Sequence, residues 1–161
     1  MYEFSKVTTE ALKDAGWSDK YQFDTRKYER NHAVKGCTVP KVVLEFLTRY
    51  GGLTITTVLK VEKRPFLSEL VLIPEYAAEG DYCDDWTGIA QVIGVNALHP
   101  IGDYADLMWL VMSDEGKVYG GFAQDILYMG YSGEDMIETL CTNKPSPKIA
   151  ELPRNLWNPL W

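Results

Sequence analysis

Paired cysteines, clustered histidines and long apolar runs are all missing from this chain of 161 residues. Cys37, Cys83 and Cys141 are far apart and odd in number, with no C-x-x-C spacing. That fits neither a disulfide framework nor a zinc site and reads as thiols in a reducing compartment. The longest purely apolar run, Leu107 to Met112, is too short to span a bilayer. The start, MYEFSKVTTEALKDAG, is charged and lacks the apolar core of a secretory signal. A cytoplasmic protein with no membrane association is the expectation. Nucleotide-binding signatures are absent too: neither G-x-G-x-x-G nor G-x-x-x-x-G-K-[ST] occurs, nor does the G-x-S-x-G elbow of many hydrolases.

Positive charge is missing from one third of the chain. Residues 65–116 hold ten acidic side chains and no Lys or Arg, whereas residues 1–64 carry twelve basic against eight acidic groups. The formal net charge of −7 argues against direct binding to nucleic acid. So uneven a distribution suggests either a one-signed surface that meets a basic partner or carboxylates scattered over several faces by folding. The densest part is EYAAEGDYCDD, residues 75–85. Its spacing lacks the Asp/Asn alternation, central Gly and terminal Glu of a calcium loop, so no metal is expected.

What is present is ordinary globular patterning, 46% hydrophobic and 24% charged, in a chain long enough for one core. Helical spacing is read over Ser5–Ala15, with Ser5 as N-cap and Gly16 beyond the end, and weakly over Thr25–Lys35 after Asp24. The clearest helix has Val39, Val42, Val43, Phe46, Leu47 and Tyr50 on one face, with Thr38 as cap, Pro40 in its first turn and Gly51-Gly52 as its stop. Strands are expected over LTITTVLK (53–60) and ELVLIP (69–74), joined by a polar stretch, VEKRPF. A short helix should carry Trp86, Ile89, Ala90 and Ile93 inward and end at Gly94. Leu107–Met112 has the continuous apolar character of a strand covered on both faces. Ser113–Gly116 reads as a hairpin turn, with further strands at Lys117–Gly121 and Asp125–Met129. Ser132 with Asp135 resembles a capping box for a final helix. Segregated helices and strands predict an α+β fold with a mainly antiparallel sheet flanked by helices.

Catalysis finds little support. A nucleophile needs a base beside it, and only His32 and His99 are available. His99 precedes Pro100, which favours extended backbone at a strand entrance and a structural role. Asp103 and Asp106 flank a strand, an arrangement too common to mark a glycosidase pair.

Taken together and in order, several pieces resemble a known family. They are AGW (Ala15–Trp17), GCTVP, FLTRYGGLTI (Phe46–Ile55), PIGD (Pro100–Asp103), DEGKVY and YSGEDMIETL. Their order and spacing are similar to those of SUKH-superfamily immunity proteins, third subgroup, over roughly residues 4–141. The resemblance implies an α+β domain over 1–142. The Pro/Trp-containing tail over 143–161 has no counterpart in it and is expected to pack on the domain, because exposed tryptophans such as Trp157 and Trp161 are a liability. It also implies a non-enzymatic role without cofactors: binding and neutralising a cognate bacterial polymorphic toxin, often a nuclease or nucleic-acid deaminase. The alternative is a SUKH-like regulatory scaffold without a toxin partner. Acidic residues suit a toxin's basic groove, so Glu79, Asp81, Tyr82, Asp84 and Asp85 are the candidate contacts. Trp86 reads as core rather than contact.

Overall fold

The computed structural model of the chain describes residues 1–74 and 82–156. Three helices come first: α1 (Lys6–Asp14), α2 (Arg26–Val34) and α3 (Lys41–Tyr50). A hairpin follows, β1 (Thr54–Val61) and β2 (Arg64–Val71), then α4 (Tyr82–Ile93). Next are β3 (Leu98–Tyr104), β4 (Met108–Ser113), β5 (Val118–Phe122) and β6 (Asp125–Gly130), then α5 (Gly133–Thr142) and β7 (Lys148–Glu151). The strands form one seven-stranded sheet in sequence order, every neighbouring pair antiparallel. The α+β expectation therefore holds, with the sheet an uninterrupted meander.

Strand alternation distributes the core over both faces. On one face Leu110, Met112, Val118 and Met129 join Leu12 of α1, Val43, Phe46 and Leu47 of α3, and Met136 and Ile137 of α5. On the other, Val111, Tyr119 and Ile126 meet Trp86, Ile89 and Ala90 of α4, with Leu152 beyond β7. The apolar run through β4 thus serves two cores, as a centrally covered strand requires.

The helix ends follow the sequence in most places. Ser5 caps α1 by accepting the Thr8 N–H at 3.3 Å, and Trp17 N–H returns to the Leu12 carbonyl at 2.9 Å beyond it. Trp17 then stacks on Tyr50, with ring centroids 6.0 Å apart, and donates its indole N–H to the Arg49 carbonyl. Asp24 accepts the Arg26 N–H at 3.0 Å at the start of α2. Ser132 accepts the Asp135 N–H at 3.1 Å, while the Asp135 carboxylate reaches back to the Tyr131 N–H, one residue earlier than in a standard capping box. At α3 the cap differs from expectation: Pro40, not Thr38, occupies the N-cap position and makes no side-chain cap bond. Pro40 lacks both a side-chain oxygen and an N–H, and its fixed φ of −64° simply leads the chain into the helix.

Three further corrections concern the sheet and the cysteines. The polar VEKRPF stretch is not a connector: β2 begins at Arg64, and Glu62-Lys63 form a two-residue turn with φ of 48° and 66°. Pro100 stands within a strand, tolerated because the register shifts between Pro100 and Gly102. Gly102 is needed there, since a Cβ would sit 2.1 Å from the Val71 carbonyl oxygen. Cys37 is disulfide-bonded, against the expectation of thiols throughout, whereas Cys141 is a buried free thiol whose pKa burial pushes to about 11.

A buried carboxylate joins the first and last helices. Glu138 of α5 accepts the Ser5 N–H at 3.1 Å and the Ser5 hydroxyl at 3.2 Å, and it is also bonded by Thr8. Burial by itself would raise the Glu138 pKa, but these bonds outweigh it and hold the group below its ordinary value. The carboxylate also faces the positive end of the α1 dipole. A lowered carboxyl pKa adds stability above the unfolded-state value and loses it as pH falls toward the folded-state value. Glu138→Gln is expected to lose roughly 1–3 kcal/mol at neutral pH. In urea titrations at stepped pH, the gap between variant and native protein should shrink below pH 4.5, the ordinary value for this group.

Candidate functional site

Both histidines border one cleft of about 240 Å³ between the α2–α3 connection, α4 and the start of β3. Thr38, Trp86, Asn96 and Leu98 complete its walls with Pro100. His32 Nδ1 lies 2.9 Å from the Tyr28 carbonyl, which can only accept, so Nδ1 carries the proton. Burial lowers the His32 pKa, and nearby His99 lowers it further against the pull of that backbone bond. The Tyr28 hydroxyl donates to the Pro100 carbonyl at 2.8 Å, so the Tyr28–His32 pair pins α2 to the bulge in β3.

His99 is buried, with Nε2 2.7 Å from Asp114 Oδ1 in the β4–β5 turn. An imidazole on a carboxylate has the look of a general base, but a base needs a nucleophile within about 3 Å. Among the described residues, no hydroxyl or thiol bonds to the other nitrogen of His99. The pair therefore ties the first strand of the β3–β4 hairpin to the turn that follows it. Gly116 closes that turn with φ of 88°, the left-handed conformation that DEGK implied.

Around β4, the carboxylates among the described residues do not gather. Asp103 and Asp106 lie at the β3–β4 turn, while Asp114 and Glu115 lie at the opposite end of β4, about 20 Å away at strand rise. Asp103 Oδ1 is buried with no hydrogen-bond partner among the described residues. Burial raises its pKa, the Asp106 carboxylate adds to this, and a bond from the Asp106 N–H partly opposes it. Among the described residues, no group of three or more His, Cys, Asp and Glu could hold a metal ion. None of the helices described there is long and apolar enough to cross a membrane.

Of the candidate contacts, Tyr82, Asp84 and Asp85 open α4. Glu79 and Asp81 lie outside the described residues, as do Trp157 and Trp161. Trp86 is core, 5% exposed, with its ring 5.1 Å from Trp109 in an edge-on arrangement. It anchors α4 to the sheet face opposite α1, α3 and α5, and so fixes where the acidic start of that helix emerges.

Sequence reading missed a second surface, the β1–β2 hairpin. It pairs with β3 only through Leu70 and Val71. Its far half therefore projects beyond the sheet, leaving Phe66 51% and Leu67 80% exposed. The available signal was Phe66-Leu67 directly after a proline and a charged tip. It was obscured because Glu62-Lys63 lacks the Asn-Gly character of such turns.

A family model described as SUKH-3 immunity protein matches residues 4–143. The chain belongs to that family. No curated protein and no solved structure matches it. The shared pieces now have physical roles in this SUKH-3 chain: AGW ends α1, FLTRYGGLTI carries α3 into β1, and PIGD makes the bulge that Tyr28 grips. DEGKVY turns β4 into β5, and YSGEDMIETL caps and forms α5. They build the fold. Immunity families of this kind are generally non-enzymatic, in keeping with histidines committed to structural bonds.

The His32 assignment is open to direct measurement. Imidazole ¹⁵N shifts should report the Nδ1–H tautomer and a midpoint below 6.5, the ordinary value. A histidine buried in its neutral form subtracts stability as pH falls below the unfolded-state midpoint. An Nε2–H tautomer or a raised midpoint would remove the Tyr28 latch.

Proposed function

We propose that this chain is an immunity protein that binds a cognate bacterial polymorphic toxin domain and neutralises it by occupying its working surface. The observation that carries this reading is the family match over residues 4–143, nearly the whole folded unit. Residues 1–142 are taken as the immunity domain and 143–161 as a tail attached to it. The toxin we favour is a nuclease or nucleic-acid deaminase with a basic groove, met in the cytoplasm of the producing cell or its siblings. A run of carboxylates without Lys or Arg, such as residues 65–116, supplies the complementary sign and speeds encounter.

Within that run, the proposed contact comprises Glu79, Asp81, Tyr82, Asp84 and Asp85. Two physical points favour the start of α4. Its core side is held by Trp86, so the contact would stand on a fixed element. The other described carboxylates are divided between opposite ends of β4, which leaves residues 79–85 as the densest acidic segment.

The test is co-expression with the C-terminal domain of the large secreted protein encoded beside this chain, followed by affinity measurement at several salt concentrations. Replacing Glu79, Asp81, Asp84 and Asp85 together by Asn should weaken binding roughly tenfold or more at low salt and flatten the salt dependence. Unchanged affinity and slope would remove these residues from the contact. Survival of cells carrying the toxin domain without this chain would remove the immunity reading.

A further inference from the structure

The β1 margin of the sheet is open in a way that its other margin is not. Val61 and Arg64 flank the two-residue turn and are paired, so Val61, Leu59, Thr57 and Ile55 direct their backbone groups at β2. Lys60, Val58, Thr56 and Thr54 then direct theirs outward. Asn143, just past α5, confirms that phase: its amide oxygen takes the Lys60 N–H at 3.1 Å and its amide nitrogen donates to the Val58 carbonyl. The Asn143 side chain thus stands where a neighbouring strand would stand, and it closes the margin from Val58 onward. Below it, the Val58 N–H and both backbone groups of Thr56 and Thr54 have no partner among the described residues.

Beside this margin runs a groove of about 310 Å³ between β1 and α1. Its rim includes Val7, 58% exposed, and Val58, 41% exposed, and Cys141 lies within it. The charged side chains on its walls are Glu10 and Asp14, with no Lys or Arg. Lys6 meets Glu10 at 3.8 Å on the solvent side, where an exposed pair does little to neutralise the wall. Sheet margins are ordinarily protected by charge, proline, bulges or brevity. At the opposite margin β7 is only four residues long, and its Lys148 is paired with Asp125 and Glu151. Thr54–Val58 carries no such protection.

We infer that Thr54–Val58 is a strand-addition site: an extended segment of the toxin domain pairs with the outer edge of β1, its basic side chains against Glu10 and Asp14. Backbone pairing supplies affinity, while the groove beside α1 selects alternate side chains of the incoming strand. A second copy of this chain fits less well, because pairing β1 with β1 would bring two acidic α1 walls together. The inference rests on the immunity reading and adds a contact distinct from the start of α4.

Thr56→Pro tests it. The substitution removes an outward N–H that β2 does not use, and proline is tolerated on an edge strand in that orientation. Toxin affinity should drop about tenfold or more, with the thermal midpoint held near that of the native protein. Glu10→Lys with Asp14→Lys, on the exposed face of α1, should weaken binding without touching the sheet. Amide exchange on the unaltered complex needs no substitution and should show new protection at Thr56 and Val58. If the toxin domain binds the native chain while exchange at both amides is unchanged, strand addition is wrong and the immunity reading stands. If the toxin domain does not bind the native chain at all, both fail.

Discussion

From β3 to β6 the sheet must be apolar on both faces, and most of the architecture follows from that requirement. β4 contributes Leu110 and Met112 to one core and Trp109 and Val111 to the other, by strand alternation alone. Each face then needs a cover. α1, α3 and α5, with Tyr28 of α2, close one side, and α4, with Trp86 as its wedge, closes the other. Because β3 to β6 are covered on both faces, binding surfaces are confined to the ends of those strands, the projecting β1–β2 hairpin, the two sheet margins and the outer faces of helices.

This division also gives the family's shared pieces structural work to do. The Pro100–Asp103 bulge lets a proline and a close-approaching glycine sit inside a sheet, and it offers a carbonyl to Tyr28. His32 and His99 are spent on holding α2 and the β4–β5 turn in place. Two histidines beside one cleft are here the fastenings of an interface between layers. Glu138 plays the same part between α1 and α5, with its charge balanced chiefly by hydrogen bonds from Ser5 and Thr8 and to a lesser extent by Lys144.

The covered interior was legible in the sequence because period and burial agree there. Met108–Met112, the faces of α3 and α5, and the caps at Ser5 and Ser132 follow from residue spacing, whereas Val7, spaced for the inward face of α1, and Leu107, at the start of the apolar run, are both exposed. The margins were less legible. The hairpin tip uses Glu62-Lys63 in left-handed conformations that neither residue favours, so the local chemistry did not announce a turn. β7 is four residues of mixed character, held by β6 rather than by its own pattern. Among the described residues, the carboxylates around β4 do not cluster, because β4 carries Asp106 and Asp114 to opposite ends. The open edge of β1 depends on which backbone groups point outward, and that phase is set by the turn.

An immunity protein of the kind proposed should act as a stoichiometric blocker. The most direct measurement titrates this chain into a fixed amount of active toxin domain while toxin activity is followed. The account predicts inhibition that rises linearly to an end point at one immunity chain per toxin domain, with both recovered intact from the complex. Complete loss of activity at a small fraction of that ratio, with the toxin covalently altered, would show turnover and contradict it.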